Sequence, residues 1–142
     1  MGTHYNMKKI IFLLAAGFVV SGCTDAKLQE RAALDTVMQV HEKVMGEDEQ
    51  LMKNKLLLDS MAKHDTTAIL KDSVMLYLSQ VTNADSSMAD WMHKFEPDMT
   101  GKLPEERMIY LHTQKKLISK IDTEVNSALN TSDKFLKKMK MK

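Results

Sequence analysis

Apolar residues recur three and four positions apart from about Ala26 onward, in a background rich in Leu, Met, Lys, Glu, Gln and Ala. This spacing is typical of amphipathic α-helices. Two stretches interrupt it: capping residues occupy 64–67, and 96–103 contains a proline and a glycine. The pattern therefore predicts three helices, over about 26–63, over about 67–95, and from Pro104 toward the end of the chain.

Short connections make neighbouring helices antiparallel, so we expect an all-α fold, an elongated up-down-up antiparallel three-helix bundle. Gly46 lies in the middle of the first helix, where glycine costs about 1 kcal/mol relative to alanine. A four-helix bundle with a break near Gly46 is therefore the alternative. Asp48 and Lys55 interrupt the apolar stripe of the first helix, which predicts a narrow and partly wet core. The stripe itself comprises Leu34, Val37, Met38, His41, Val44, Met45, Leu51, Met52 and Leu58.

The beginning of the chain has a different character. Lys8 and Lys9 precede a short apolar run, residues 10–20, that ends at Val20-Ser21-Gly22-Cys23. This order is typical of a secretory signal with a bacterial lipobox, and the run is too short to span a bilayer as a helix. We therefore expect a lipoprotein signal peptide over 1–22 and a single helical domain over 23–142, tethered through lipidated Cys23. The residue after Cys23 is Thr24 and not the aspartate that is linked to inner-membrane retention. This residue favours an outer-membrane location, with the protein facing the periplasm.

Charge and motifs exclude several classes of function. The chain carries 20 Lys and Arg against 19 Asp and Glu, so no excess of positive charge points to nucleic acid. A glycine-rich phosphate loop and a Gly-x-Ser-x-Gly elbow are both absent, and lipidation consumes the single cysteine. His41-Glu42 begins like a zinc-protease helix, but Met45 stands where the second histidine belongs. The sequence therefore predicts a protein that is not an enzyme.

Methionine recurs beside histidine, at spacings that put both residues on one helix face. Hairpin turns near residues 65 and 99 would gather these residues around Trp91, in one layer toward the lipid-proximal end of the bundle. Thioether and imidazole groups are suitable ligands for Cu(I), or for a haem iron as an axial pair. The same residues also suit an ordinary apolar layer, the interpretation that we favour. The candidate ligands are Met38, His41, Met45, Met88, Met92, His93, Met108 and His112.

The end of the third helix is rich in lysine, at positions 134, 137, 138, 140 and 142. These side chains either contact anionic lipid or peptidoglycan, or remain solvated and complement the negative end of the helix. We favour the solvated interpretation.

Three segments resemble a group of small Bacteroidota lipoproteins often labelled "viral A-type inclusion protein". The segments are His41-Glu42-Lys43-Val44-Met45, residues 85–95 (DSSMADWMHKF), and Tyr110-Leu111 followed by residues 114–118 (QKKLI). The resemblance implies a helical, lipid-anchored envelope protein of unknown activity, and it supplies no catalytic residues.

Three functions fit these observations. The first is a non-enzymatic interaction or structural module of the envelope, held to the membrane by its lipid and acting on an envelope protein or on a second copy of itself. The second is a periplasmic Cu(I)- or haem-binding bundle. The third is an envelope-stress chaperone whose apolar stripes hold unfolded clients.

Overall fold

The computed structural model describes residues 21–64 and 67–140, and for residues 21–24 it describes the backbone alone. Within these residues the chain forms three helices and no strand: α1 (Ser21–Lys63), α2 (Ala68–Lys94) and α3 (Pro104–Lys140). Each helix packs against both others, so the predicted up-down-up three-helix bundle is confirmed. No helix in the described ranges has the length and apolar character needed to cross a membrane.

The alternative with four helices is wrong, because α1 passes through Gly46 without a break. Gly46 lies on the exposed side of the helix, and a Cβ atom added there would meet nothing within 4 Å. Packing on the buried side of α1 therefore outweighs the low helix propensity of one exposed glycine. Most of the predicted signal peptide and the side chain of Cys23 lie outside the described residues, so cleavage and lipidation stay predictions.

The core is built on a seven-residue repeat. Such a repeat keeps one seam of each helix facing its neighbours, as in a coiled coil. The buried residues at this spacing are Val37, Val44, Leu51 and Leu58 in α1, Val74, Val81 and Met88 in α2, and Leu111, Ile118, Val125 and Ser132 in α3.

The buried face of α1 agrees with the predicted one except at two positions. The predicted stripe contains every buried apolar residue described for this helix, namely Val37, Val44, Leu51 and Leu58. Met45, which the stripe also includes, is exposed, and Asn54, which it does not include, is buried. Lys55 lies at the edge of the core, where it pairs with Asp85 of α2 at 2.6 Å. The core of α1 therefore contains a polar residue, and Lys55 is polar at its edge.

Hydrogen bonds in the interior join α1 to α3. Asn54 Nδ2 donates to Ser132 Oγ at 2.9 Å and to Asp133 Oδ1 at 2.6 Å, and Gln50 Nε2 donates to Asn54 Oδ1. Nearer the beginning of α3, Lys43 pairs with Asp122 at 2.6 Å, and this carboxylate raises the pKa of Lys43 above its ordinary value. The contacts join residues 78 or 79 positions apart, so α1 and α3 run parallel in one register.

The connection from α2 to α3 is longer than a tight turn. The chain continues without helical structure from Phe95 to Met99 and turns at Thr100-Gly101, where Lys102 N donates to Met99 O. Gly101 has φ of 86°, the conformation that a type II turn requires at its third residue. Side-chain and backbone hydrogen bonds from Thr100 to the Asp98 carboxylate lower the pKa of Asp98.

This connection explains an error in the predicted register of α2 and α3. A symmetric turn near residue 99 places Trp91 level with Met108, but Trp91 meets Gln114, six residues further along α3. An extended segment advances about 3.3 Å per residue and a helix only about 1.5 Å. Residues 95–99 are not helical and begin with the extended Phe95, and Glu96 N donates a hydrogen bond to the Tyr110 hydroxyl of α3, so the first turns of α3 lie beside this connection.

Gly46 and Gly101 should respond oppositely to substitution by alanine. Gly46→Ala should raise the free energy of unfolding by about 0.5–1 kcal/mol, because the site is helical, exposed and open. Gly101→Ala should lower it by about 1 kcal/mol or more, because its φ is positive. Urea unfolding followed by circular dichroism measures both. Shifts of the same sign would contradict the assigned backbone conformations.

Asn54→Ala should lower the free energy of unfolding by about 2 kcal/mol, since it removes buried volume and the donor to Ser132 and Asp133. Asn54→Leu combined with Ser132→Ala should recover most of this loss, because both buried polar partners are then removed. Asn130→Ala on the exposed face of α3 is the matched control and should change stability by less than about 0.5 kcal/mol. Equal effects of Asn54→Ala and Asn130→Ala in urea unfolding would show that the buried link contributes nothing.

Candidate functional site

The residues predicted to form a Met/His layer are distributed between the interior and the surface. Met88 is buried, and three others are partly buried, namely Met38, His41 and Met108. Four are exposed: Met45, Met92, His93 and His112. Among the described residues, no group of three or more His, Cys, Asp or Glu side chains could hold a metal ion. Methionine thioethers can bind metal ions as well, so metal binding by this layer stays a prediction.

One predicted contact is present. The rings of His41 in α1 and Trp91 in α2 lie 5.7 Å apart, as a hairpin turn near residue 65 requires. The predicted approach of α3 is wrong, because Arg107 Nε lies 3.1 Å from Glu30 Oε2. Met108, the next residue, therefore lies about two helical turns before Met38 along the bundle.

Aromatic rings fill the end of the bundle where the layer was expected. Trp91 stacks on Phe95 with 4.7 Å between ring centroids, and Phe95 faces Tyr110 of α3 at 6.3 Å. Trp91 Nε1 donates to the buried Gln114 Oε1 at 2.9 Å. The sequence identified Trp91, but the Phe95–Tyr110 contact depends on the α2 and α3 register and was missed. His41 Nδ1 is buried and has no hydrogen-bond partner among the described residues.

An open groove follows the outer seam between α2 and α3, and it was not predicted from the sequence. Three neighbouring cavities of about 630, 450 and 310 Å³ lie along this seam. We call them the distal, middle and proximal thirds of the α2/α3 groove, in order of decreasing distance from the beginning of α1. Together they extend over the whole length of α2, about 40 Å. They are lined from Thr67 to Lys94 in α2 and from Gln114 to Met139 in α3.

Ion pairs cross the two seams that involve α1. Lys55 and Asp85 bridge α1 to α2, and ion pairs Lys43–Asp122 and Glu30–Arg107 bridge α1 to α3. A further cavity of about 300 Å³ lies beside Glu30 and Arg107. In the described part of the chain, no ion pair joins α2 to α3. Hydrogen bonds from Thr131 to Gln80 and from Trp91 to Gln114 join these two helices instead.

The distal third combines apolar and basic groups. Tyr77 and Phe135 form its floor with ring centroids 4.7 Å apart, and Ile69 stands 84% exposed at its edge. Lys134 and Lys138 line the α3 side, one helical turn apart. Neither lysine takes part in an ion pair of the described residues. The distal third is therefore an apolar surface with an uncompensated positive rim.

The other two thirds are closer to neutral. Small residues, among them Ala84, Ser127 and Ala128, line the middle third. In the proximal third the charges are paired within each helix, Lys94 with Asp90 at 3.9 Å and Lys120 with Glu124 at 3.4 Å. Leu117 is 46% exposed beside them. Charge along the groove is therefore asymmetric, and its excess is positive and distal.

Comparison with known proteins identifies no relative. No family model matches the chain, and no curated protein or solved structure matches it.

Proposed function

We propose that this protein is a lipid-anchored helical protein of the cell envelope that acts as a non-enzymatic interaction module, with the α2/α3 groove as its docking surface. The observation that carries the proposal is the groove itself. Three neighbouring cavities follow the α2/α3 seam over about 40 Å, and no ion pair of the described residues crosses it. Grooves between helices are a common way in which proteins recognise partner helices.

The architecture supports presentation of this groove away from a membrane. Lipidation at Cys23 would attach the beginning of α1, and the distal third lies at the opposite end of the bundle. With 43 residues, α1 is about 65 Å long. Residues 25–29 are exposed and would act as a short helical stalk between lipid and bundle. The lipobox and Thr24 support an outer-membrane location that faces the periplasm, and the resemblance to Bacteroidota lipoproteins agrees with it.

Photo-crosslinking in living cells tests the groove as a docking surface. A photoreactive amino acid at Ile69 or Leu117 should give discrete crosslinked products of defined mass, because both side chains are exposed in the groove. The same amino acid at Leu56 or Met45, exposed on α1 at 67% and 39%, should give none. Equal products from both pairs would contradict docking in the groove. A broad smear from Ile69 and Leu117 would favour the chaperone function instead.

Cu(I) binding is the second candidate function, and one observation favours it. His41 Nδ1 is buried without a hydrogen-bond partner, and Met38 and Met45 lie three before and four after His41 on the same helix. An imidazole and two thioethers at this helical spacing are ligands suited to Cu(I).

Titration with Cu(I) against a competing chelator tests this candidate. If the site exists, binding should saturate at about one equivalent and quench the fluorescence of Trp91, the single tryptophan of the chain. His41→Phe should abolish binding while it preserves the ring contact with Trp91. His112→Phe on the exposed face of α3 is the matched control and should bind normally. Identical affinities of the two variants would assign any bound copper to another site.

A further inference from the structure

We infer that the occupant of the α2/α3 groove is an amphipathic helix of a different protein, with acidic residues where it passes Lys134 and Lys138. This inference rests on the proposed function and adds the chemistry and the orientation of the partner. Three properties of the groove carry it: its length and shape, the asymmetry of its charge, and the poor fit of a second copy of this chain.

The shape of the groove suits a helix. Two antiparallel helices, α2 and α3, form its walls, and a straight seam of about 40 Å between them matches a partner helix of similar length. Small side chains at Ala84, Ser127 and Ala128 allow a close approach at the centre, where the distance between helix axes depends on side-chain size. Exposed Ile69 and Leu117 provide apolar contacts toward the two ends. A partner with an apolar stripe along one face would bury all of these surfaces.

Charge determines how this partner is oriented. Lys134 and Lys138 line the distal third without an acidic partner among the described residues, whereas the charges of the proximal third are already paired. The beginning of α2 adds partial positive charge there, since Thr67 makes no side-chain capping bond. Acidic residues on the partner would therefore be attracted to the distal third. A partner helix with acidic residues at its other end would gain no such attraction.

A second copy of this chain fits poorly. Two copies anchored through Cys23 in one membrane would stand parallel, which places Lys134 and Lys138 of each copy against the same lysines of the other. Like charges in contact oppose such a dimer. In an antiparallel dimer the lysines would meet the proximal third, where Asp90 and Glu124 already pair with lysines of their own helices. The unpaired positive charge of Lys134 and Lys138 therefore favours binding of an acidic partner other than this chain.

Two synthetic peptides test the inference. Each is an amphipathic helix of about 28 residues with the same apolar stripe, long enough to follow the groove. One carries glutamates at the positions that pass Lys134 and Lys138, and the other carries lysines there. Anisotropy of labelled peptide measures binding to the full chain in lipid nanodiscs. We expect the glutamate peptide to bind about tenfold or more tightly than the lysine peptide.

Charge reversal in the protein completes the test. The double variant Lys134→Glu, Lys138→Glu should reverse the preference between the two peptides. Lys137→Glu, Lys140→Glu is the matched control, because both lysines are exposed on the same helical segment and neither lines the groove. The control should keep the original preference within about twofold, since its charges act at longer range. Trp91 fluorescence and circular dichroism verify that both variants fold.

Three outcomes would overturn the inference. The first is equal affinity of the two peptides for the unmodified chain. The second is an equal effect of the two double variants on the preference between the peptides. This result would show that the attraction is a general property of the lysine-rich end of α3. The third is displacement of the glutamate peptide by phosphatidylglycerol vesicles but not by neutral ones, which would make the distal third a lipid site. Discrete crosslinks from Ile69 and Leu117 would then still support the interaction module, whereas their absence would remove the proposed function itself.

Discussion

The hydrogen bonds from Asn54 to Ser132 and Asp133 are the constraint on which the arrangement of α1 and α3 depends. An apolar seam with a seven-residue repeat would look almost the same to its neighbour after a slide of seven residues. A buried amide opposes such a slide, because a change of register would separate the amide from its hydrogen-bond partners in the interior. The polar link therefore selects one register, at some cost in apolar burial.

The ion pairs between α1 and α3 follow from this register. Once α1 and α3 are fixed, Lys43 lies opposite Asp122 and Glu30 opposite Arg107. Across the α2/α3 seam the side chains that meet are uncharged, as at Gln80 and Thr131. The charged residues of the proximal third pair within their own helices, and Lys134 and Lys138 have no acidic partner among the described residues. The lack of ion pairs across the groove is thus a consequence of the residues along this seam.

The number and limits of the helices were predictable, because they depend on local signals. Pro104 begins α3 as predicted, and Glu106 accepts a hydrogen bond from Leu103 N, as in a capping box. The burial of Asn54 was not predictable in the same way, since this residue belongs in the core only because Ser132, 78 residues away, accepts its hydrogen bond. The α2/α3 register failed for a related reason. It depends on the nonhelical connection from residue 95 to residue 103, whose length and path hydrophobic periodicity does not report.

The α2/α3 groove could not be predicted from the sequence, although the lysines at its edge were noted there. Lys134 and Lys138 appeared as members of a lysine-rich tail, for which solvation was the natural interpretation. Their position beside the rings of Tyr77 and Phe135 gives them a second property, since a charge beside an apolar surface can select which apolar partner binds there. Exposed apolar groups such as Ile69 attract any hydrophobic segment, and the basic rim disfavours basic ones. Selection against basic partners requires an apolar surface and a basic rim in the same place. The packing of α2 against α3 brings these two features together.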